Sequence, residues 1–237
     1  MVLMGIVGEL GVGKTLTATY IAWKNYTEKG RKIYANYTLY GIPFTPIKTL
    51  EALKKMIPPE TPTLEQLLQS KEILFVGDEL WKWIDSRCSI MDVSARERRS
   101  IKNKIVTDIL GASRKAFVTI VYTAQTISSV DKRIREVTDL TAYPIIKGDV
   151  VVAPFFMGTR ANAPAIEKVI RFFKEPFYAF YNTYERIQPL EEGDPSEELA
   201  EIRIPVEKNP AWIYYLKKMG LSDEEIKKEC KAVEESL

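Results

Sequence analysis

The residues GELGVGKT, Gly8 to Thr15, fit the pattern G-x-x-x-x-G-K-[ST] and directly follow a short apolar run. Glycines at this spacing let backbone amides turn inward on a phosphate, and the positive end of the following helix points at the same place. In this pattern Lys14 bridges the β- and γ-phosphates and the Thr15 hydroxyl ligates Mg²⁺. We therefore predict a phosphate-binding loop (P-loop) that holds a nucleoside triphosphate with Mg²⁺. The predicted nucleotide-binding residues are Gly8, Glu9, Leu10, Gly11, Val12, Gly13, Lys14 and Thr15.

A second candidate site lies in EILFVGDEL, Glu72 to Leu80. Its apolar run predicts a buried strand that delivers Asp78 to the phosphate end of a sheet, beside the P-loop. There Asp78 is predicted to hold Mg²⁺, partly through water, and Glu79 to polarise the attacking water. The alternative is a pair of solvated turn residues at a strand tip. After a P-loop, the acid pair favours a hydrolysing motor.

The third motif is FVTIVYTAQ, Phe117 to Gln125. Its β-branched residues predict a strand, and we expect the strand to place Gln125 level with Asp78, where it senses the γ-phosphate or orients water. A polar residue that ends a strand is ordinary by itself. The order of this motif after the other two supports the assignment.

Apolar runs alternate with helical patterns along the chain, which predicts an α/β fold with a mainly parallel sheet flanked by helices. We predict a P-loop domain over residues 1–187, an acidic linker over 188–205 and a small helical C-terminal appendage over 206–237. In the appendage, Ser222 and Glu225 form a capping box. The predicted strands are Val2–Val7, Lys32–Tyr37, Ile73–Val76, Val118–Thr123, Val150–Phe155 and Tyr178–Tyr181. The predicted helices are Lys14–Glu28, Leu50–Met56, Leu64–Leu68, Arg96–Arg114, Pro210–Met219 and Asp223–Ser236.

The composition narrows the class of protein. Hydrophobic residues make up 46% and charged residues 28% of the 237 residues, which is typical of a soluble globular protein. A net charge of +2 excludes a uniformly basic DNA-coating protein, although five basic residues between Arg96 and Lys104 leave room for a local phosphate contact. The chain has two cysteines and no histidine, so a Cys/His zinc site is excluded and a reducing, cytoplasmic setting is expected. We expect no signal peptide and no transmembrane segment.

The chain has, in order, a P-loop, an acid pair, a helix that ends in arginine and a strand that ends in glutamine. This order resembles the FtsK/HerA class of P-loop ATPases, which have a RecA/ASCE-like fold. Residues 85–139 look most similar to small genome-packaging ATPases of archaeal viruses. The same residues also look similar to the Zot-type ATPases of filamentous phages, as does GRKIYANYTLYG, Gly30 to Gly41. The resemblance covers roughly Met1 to Thr183, and the linker and C-terminal helices match no family.

The resemblance implies an ATP-hydrolysing ring, usually a hexamer, that pulls double-stranded DNA through a central pore in the host cytoplasm. In such rings an arginine from one subunit completes the neighbour's site, and Arg114 is the candidate, with Arg87, Arg133 and Arg135 in reserve. Two alternatives stay open. One is a Zot-like ATPase that powers virion or filament extrusion with capsid or membrane-associated virion proteins as partners. The other is a nucleotide-dependent assembly switch with little hydrolysis.

Overall fold

The computed structural model describes residues 2–57, 63–70, 72–82, 118–159, 166–188, 190–191, 193–194, 196 and 198–235. Its nine strands form one mixed sheet in the order β3-β2-β4-β5-β1-β6-β8-β7, with β9 paired to β8. The strands are β1 (Leu3–Val7), β2 (Lys32–Ala35), β3 (Thr45–Pro46), β4 (Ile73–Gly77), β5 (Thr119–Ala124), β6 (Leu140–Ala142), β7 (Ile145–Lys147), β8 (Val150–Met157) and β9 (Ile166–Phe173). The helices are α1 (Lys14–Lys29), α2 (Leu50–Met56), α3 (Leu64–Ser70), α4 (Lys132–Val137), α5 (Pro210–Lys218) and α6 (Asp223–Glu235).

The parallel part of the sheet runs from β3 to β6 and has β1, β4 and β5 at its centre. All six residues of β5 are buried, because helices cover both faces of the sheet and a strand in that position is apolar on both sides. The pairs β6–β8, β7–β8 and β8–β9 are antiparallel and close one end of the sheet. The predicted α/β fold with a mainly parallel sheet is confirmed.

The core has two parts, one on each face of the sheet. On one face Leu16 and Ile21 of α1 pack in the same cluster as Trp212 of α5 and Ile226 of α6. On the other face the cluster contains Leu53 of α2, among others, packed with residues of β4, β5 and α4. The C-terminal helices therefore share the hydrophobic core that holds the P-loop helix.

The residues predicted to form an acidic linker pair with the segment that follows β2. Single bridges join Thr49 to Glu191, Phe44 to Ile202 and Tyr40 to Ile204. In the following helices the predicted capping box is confirmed, since the Glu225 carboxylate accepts hydrogen bonds from the Ser222 amide at 2.8 Å and from its hydroxyl at 2.7 Å.

The predicted strand Tyr178–Tyr181 is wrong. Glu175–Phe180 form a 3₁₀ turn that has a proline in its first turn, and only Tyr181 makes a bridge, to Leu39. Pro176 has no N–H for a sheet ladder, and Phe177 and Phe180 are buried as side chains of the turn. The strands β3, β6, β7 and β9 were not predicted, and the predicted helix Arg96–Arg114 lies outside the described residues.

Candidate active site

The P-loop connects the end of β1 to the start of α1. Gly11 has φ 81° and Gly13 has φ 92°, in the left-handed region that favours glycine. A Cβ on Gly13 would also meet the side chain of Ile146 at 3.4 Å, so the loop lies close to β7. The amide of Thr17 donates to the Gly13 carbonyl at 2.9 Å, which starts the helix immediately after the loop. Its first turn therefore points free N–H groups toward the loop, as an anion site requires.

Lys14, Thr15 and Asp78 meet at this loop. Lys14 is buried, and its Nζ donates to the carbonyl of Glu9 at 2.7 Å. The Thr15 hydroxyl donates to Asp78 Oδ1 at 3.0 Å and to Oδ2 at 3.1 Å. A hydroxyl beside a carboxylate is a set of hard oxygen donors that fits Mg²⁺. The predicted proximity of the P-loop and the acid that follows β4 is thus present in the structure.

Burial dominates the electrostatics of this cluster. It raises the pKa of Asp78 above its ordinary value, while the hydrogen bonds from Thr123 and Thr15 and the charge of Lys14 act in the opposite direction. Burial likewise lowers the pKa of Lys14, which the charges of Asp78 and Glu79 partly offset. A bound cation and polyphosphate would supply the charges that these buried groups lack.

Thr123 on β5 is a site residue that sequence reasoning missed. Its hydroxyl donates to Asp78 Oδ1 at 2.5 Å and accepts from the Glu79 amide at 2.8 Å. The register explains this contact, because Gly77 lies opposite Tyr122 and the next residues of the two strands are therefore neighbours. Gln125, which was predicted to lie level with Asp78, is two positions further along the chain and exposed.

Asn36, just after β2, fixes the backbone of Asp78. Its Nδ2 donates to the Asp78 carbonyl at 2.8 Å, and its Oδ1 accepts from the Asp78 amide at 2.7 Å. An amide side chain that mimics a strand partner in this way holds the acid in one orientation. In the sequence, Asn36 shows only as a polar residue at the end of a predicted strand. Its partner Asp78 is 42 positions away, so the pattern near Asn36 does not reveal the contact.

Glu79 is the one described non-glycine residue with a positive φ, 46°. Such a conformation is strained for a residue with a side chain, and here the chain turns sharply into the 3₁₀ turn Leu80–Lys82. The amide of Lys82 donates to the Glu79 carbonyl at 2.9 Å, and the Lys82 ammonium forms an ion pair with the Glu79 carboxylate. These contacts hold the predicted general base at the mouth of the phosphate site.

A cavity of about 510 Å³ opens over the P-loop. Lys14, Thr15, Asp78 and Glu79 line it, and so does the segment Tyr181–Arg186, which we call the strap. The strap is anchored to the segment after β2, because the Glu185 carboxylate accepts from the Thr38 amide at 2.9 Å and from its hydroxyl at 2.9 Å. The volume lies in the range of small-molecule sites.

The strap is also tied to the C-terminal helices by Asn209, which is 0% exposed. Its Nδ2 lies 3.1 Å from the Tyr178 carbonyl, 2.8 Å from that of Ala179 and 3.0 Å from that of Tyr181. Its Oδ1 accepts from the Ala211 amide at 3.1 Å and thereby caps α5. One side chain thus connects the start of the strap to the start of α5.

The remaining predicted site residues are distributed as follows. Leu10, Gly11 and Gly13 line the cavity with Lys14 and Thr15, whereas Gly8, Glu9, Val12 and Gln125 are not among its described lining residues. Arg133 and Arg135 lie on α4, and the Nε of Arg133 pairs with Asp131 at 3.1 Å. Arg87, Arg114 and the basic run Arg96 to Lys104 lie outside the described residues.

Across the described part of the chain, no helix is long and apolar enough to cross a membrane.

Comparison with known proteins gave a match over residues 4–143 to the family model described as ATPase family associated with various cellular activities (AAA). The comparison with curated proteins gave no match. Among solved structures, the N-terminal domain of zonular occludens toxin from Neisseria meningitidis is similar at 14% identity and TM-score 0.49, covering 77% of this chain and 100% of that one. The genome packaging NTPase B204 from Sulfolobus turreted icosahedral virus 2 is similar at 13% identity and TM-score 0.41, covering 70% and 95%.

Proposed function

The chain belongs to the AAA family of P-loop ATPases, which hydrolyse nucleoside triphosphates, and we propose that it is an ATP-driven motor that moves double-stranded DNA. The packaging of viral DNA into a capsid is the proposed use of the movement. The observation that carries the hydrolytic part is the hydrogen-bonded network that joins Thr15, Asp78, Thr123 and Glu79. The DNA part rests on the order of motifs described for the sequence.

In the proposed reaction the P-loop amides and Lys14 hold the phosphates of ATP, and Thr15 and Asp78 hold Mg²⁺. The metal, when bound, neutralises charge on the phosphates. Glu79 accepts the proton of the attacking water, whose oxygen forms a bond to the γ-phosphorus while the bond to the ADP oxygen breaks. Thr123 keeps Glu79 and Asp78 in a fixed relation, since its hydroxyl is bonded to both. Gln125 remains a candidate for orienting the water.

The direct test is ATP turnover by the purified chain with and without linear double-stranded DNA. Lys14→Ala is expected to abolish turnover, whereas Lys218→Ala, which removes an exposed lysine from the end of α5, serves as the matched control. Normal turnover in Lys14→Ala would remove the P-loop assignment. Turnover that DNA of any sequence leaves unchanged would retain the ATPase and overturn the motor.

The proposed ring is tested by mixing two inactive variants. If Arg114 acts on the neighbouring subunit, a mixture of Arg114→Ala and Lys14→Ala proteins regains turnover, because some intact sites then receive an intact arginine. A mixture that stays inactive, or a chain that remains monomeric by mass measurement with ATP and DNA present, would contradict the shared site.

A second candidate is a Zot-like ATPase that powers virion or filament extrusion. The observation that favours it is the segment Gly30 to Gly41, which carries this resemblance and contains Asn36, the residue that clamps Asp78. Turnover that is unchanged by duplex DNA but rises with capsid or virion membrane proteins would support this candidate over the packaging motor. Slow turnover under every condition would instead favour the assembly switch.

A further inference from the structure

A second cavity, of about 290 Å³, lies at the amino end of the parallel strands, and we call it the basal cavity. Val2 and Met4 line it at the start of β1, and Thr119 and Leu140 line it at the first positions of β5 and β6. The P-loop follows Val7 at the other end of β1. Leu3 and Val7 are four residues apart, at about 3.3 Å per residue along the strand, so the two cavities lie at opposite ends of the parallel strands.

The wall of the basal cavity is largely apolar. Met4, Ile21, Phe155 and Ile170 line it, and two of them, Ile21 and Phe155, are buried core residues. Tyr20 lines it too, with its ring stacked on Phe172 at a centroid distance of 4.2 Å, which fixes the plane of the ring. A preformed apolar wall of this kind suits the organic body of a small ligand.

The same cavity is lined by four cations, Lys24, Lys29, Arg31 and Lys168, and by no carboxylate among its described residues. Lys24 has a partner, since its Nζ lies 3.3 Å from Glu28. Lys29, Arg31 and Lys168 form no ion pair with a described residue. Three positive charges that no described carboxylate pairs with, placed around a small concave site, produce a field that selects anions.

Arg31 is the most informative of the three. One guanidinium nitrogen donates to the Thr119 hydroxyl at 3.1 Å, which leaves further N–H donors of the fork for a ligand. The group is half-buried, and this burial lowers the pKa of Arg31, so the guanidinium is a partly desolvated cation that forms no ion pair with a described carboxylate. A ligand oxyanion would compensate it with charge-assisted hydrogen bonds.

From the position, the apolar wall and the cations together, we propose that the basal cavity binds a small phosphate ester whose organic part is apolar or aromatic. A phosphate fits better than a carboxylate, because its second negative charge and third free oxygen match more of the available donors. The organic part lies against Phe155, Ile170 and the ring of Tyr20. This site is separate from the ATP site and does not depend on the proposed motor function.

The probe is 1-naphthyl phosphate, titrated calorimetrically into the full chain with Mg²⁺ and ADP at saturation so that the P-loop is occupied. We expect one saturable site. Lys168→Gln, which changes an exposed residue and leaves the fold intact, is expected to weaken binding about five-fold, the value of roughly 1 kcal/mol for a semi-exposed charge contact. Arg31→Gln is expected to weaken it further, by about ten-fold or more.

Three comparisons decide the proposal. Lys218→Gln removes an exposed lysine far along the chain and is expected to leave the affinity unchanged; an equal loss there would mean diffuse charge attraction and would overturn the site. 1-Naphthol tests the phosphate, and binding as tight as that of the ester would reduce the cavity to an apolar pocket. Displacement of the probe by further ADP would place it at the P-loop and would also overturn the proposal.

Discussion

The side chain of Asn209 is expected to stabilise the protein by more than one hydrogen bond does, because it binds the start of the strap and the start of α5 at the same time. Replacement by alanine removes the cap of α5 and the amide donor that faces the carbonyls of Tyr178, Ala179 and Tyr181. Replacement by serine separates the two effects, since a serine hydroxyl still caps a helix but cannot reach all three carbonyls.

The magnitude follows from the geometry. An NH₂ group has two hydrogens, so the three carbonyl contacts amount to two full hydrogen bonds, together worth about 2 kcal/mol. The lost cap adds about 1 kcal/mol. Because Asn209 is fully buried, the carbonyls that lose its NH₂ group gain no hydrogen bond from water. The loss of stability per hydrogen bond is therefore expected near the upper end of its usual range. We expect Asn209→Ala to lower the free energy of unfolding by about 3–4 kcal/mol and Asn209→Ser by about 2–3 kcal/mol.

Equilibrium unfolding in urea measures these values, and Asn25→Ala is the matched control. Asn25 Nδ2 makes one bond, to the Ile21 carbonyl at 2.8 Å inside α1, so its loss is expected to lower stability by about 1 kcal/mol or less. A second readout is the affinity for a fluorescent ADP, because the strap lines the nucleotide cavity; we expect Asn209→Ser to weaken it about five-fold. Asn209→Ala with the stability of Asn25→Ala and unchanged ADP affinity would refute the reasoning.

Three further changes test other parts of the site. Thr123→Val keeps the shape of the side chain but removes both hydrogen bonds to the Asp78–Glu79 pair. We therefore expect ATP turnover to fall about ten-fold or more while the affinity for ATP changes little. A smaller effect on turnover than on affinity would contradict the role of Thr123 in positioning the acid pair. Gly193→Ala places a Cβ 2.5 Å from the Cβ of Thr49. We expect thermal unfolding to show that the free energy of unfolding falls by about 1–3 kcal/mol. An unchanged melting temperature would show that the backbone shifts to accommodate the new methyl group without cost. Glu185→Gln weakens the hydrogen bonds that anchor the strap to Thr38, so we expect the KM for ATP to rise while kcat is unchanged. A fall in kcat alone would mean that the strap contributes to the hydrolysis step and not to ATP binding.

Local patterns predicted the part of the site that local geometry controls. The P-loop between β1 and α1, the acid pair after β4, helix α2 at Leu50–Met56 and the Ser222–Glu225 box all follow from short stretches of sequence with fixed stereochemistry. Each of these depends on contacts between residues a few positions apart, which is why spacing alone identifies them.

The rest of the site depends on register and on long-range contacts. Gln125 and Thr123 are both polar residues near the end of the same strand, and only the pairing of Gly77 with Tyr122 shows that Thr123 is the neighbour of Asp78. The turn Glu175–Phe180 was wrongly predicted as a strand for another reason. Its aromatic residues have high β-propensity, but Pro176 and the burial of Phe177 against the P-loop helix favour a turn. Tertiary packing overrode propensity at this point.

The Asn209 connection has a consequence for how the protein is made. The P-loop leaves the ribosome about 200 residues before Asn209, as the numbering of Gly8 and Asn209 shows. Until the later residue emerges, the nascent chain can form β1 and α1 but lacks the side chain that secures the strap beside them. Synthesis at about 5–20 residues per second makes this interval ten seconds or more. The cavity over the P-loop is therefore finished late in translation, only after residue 209 has been added to the chain.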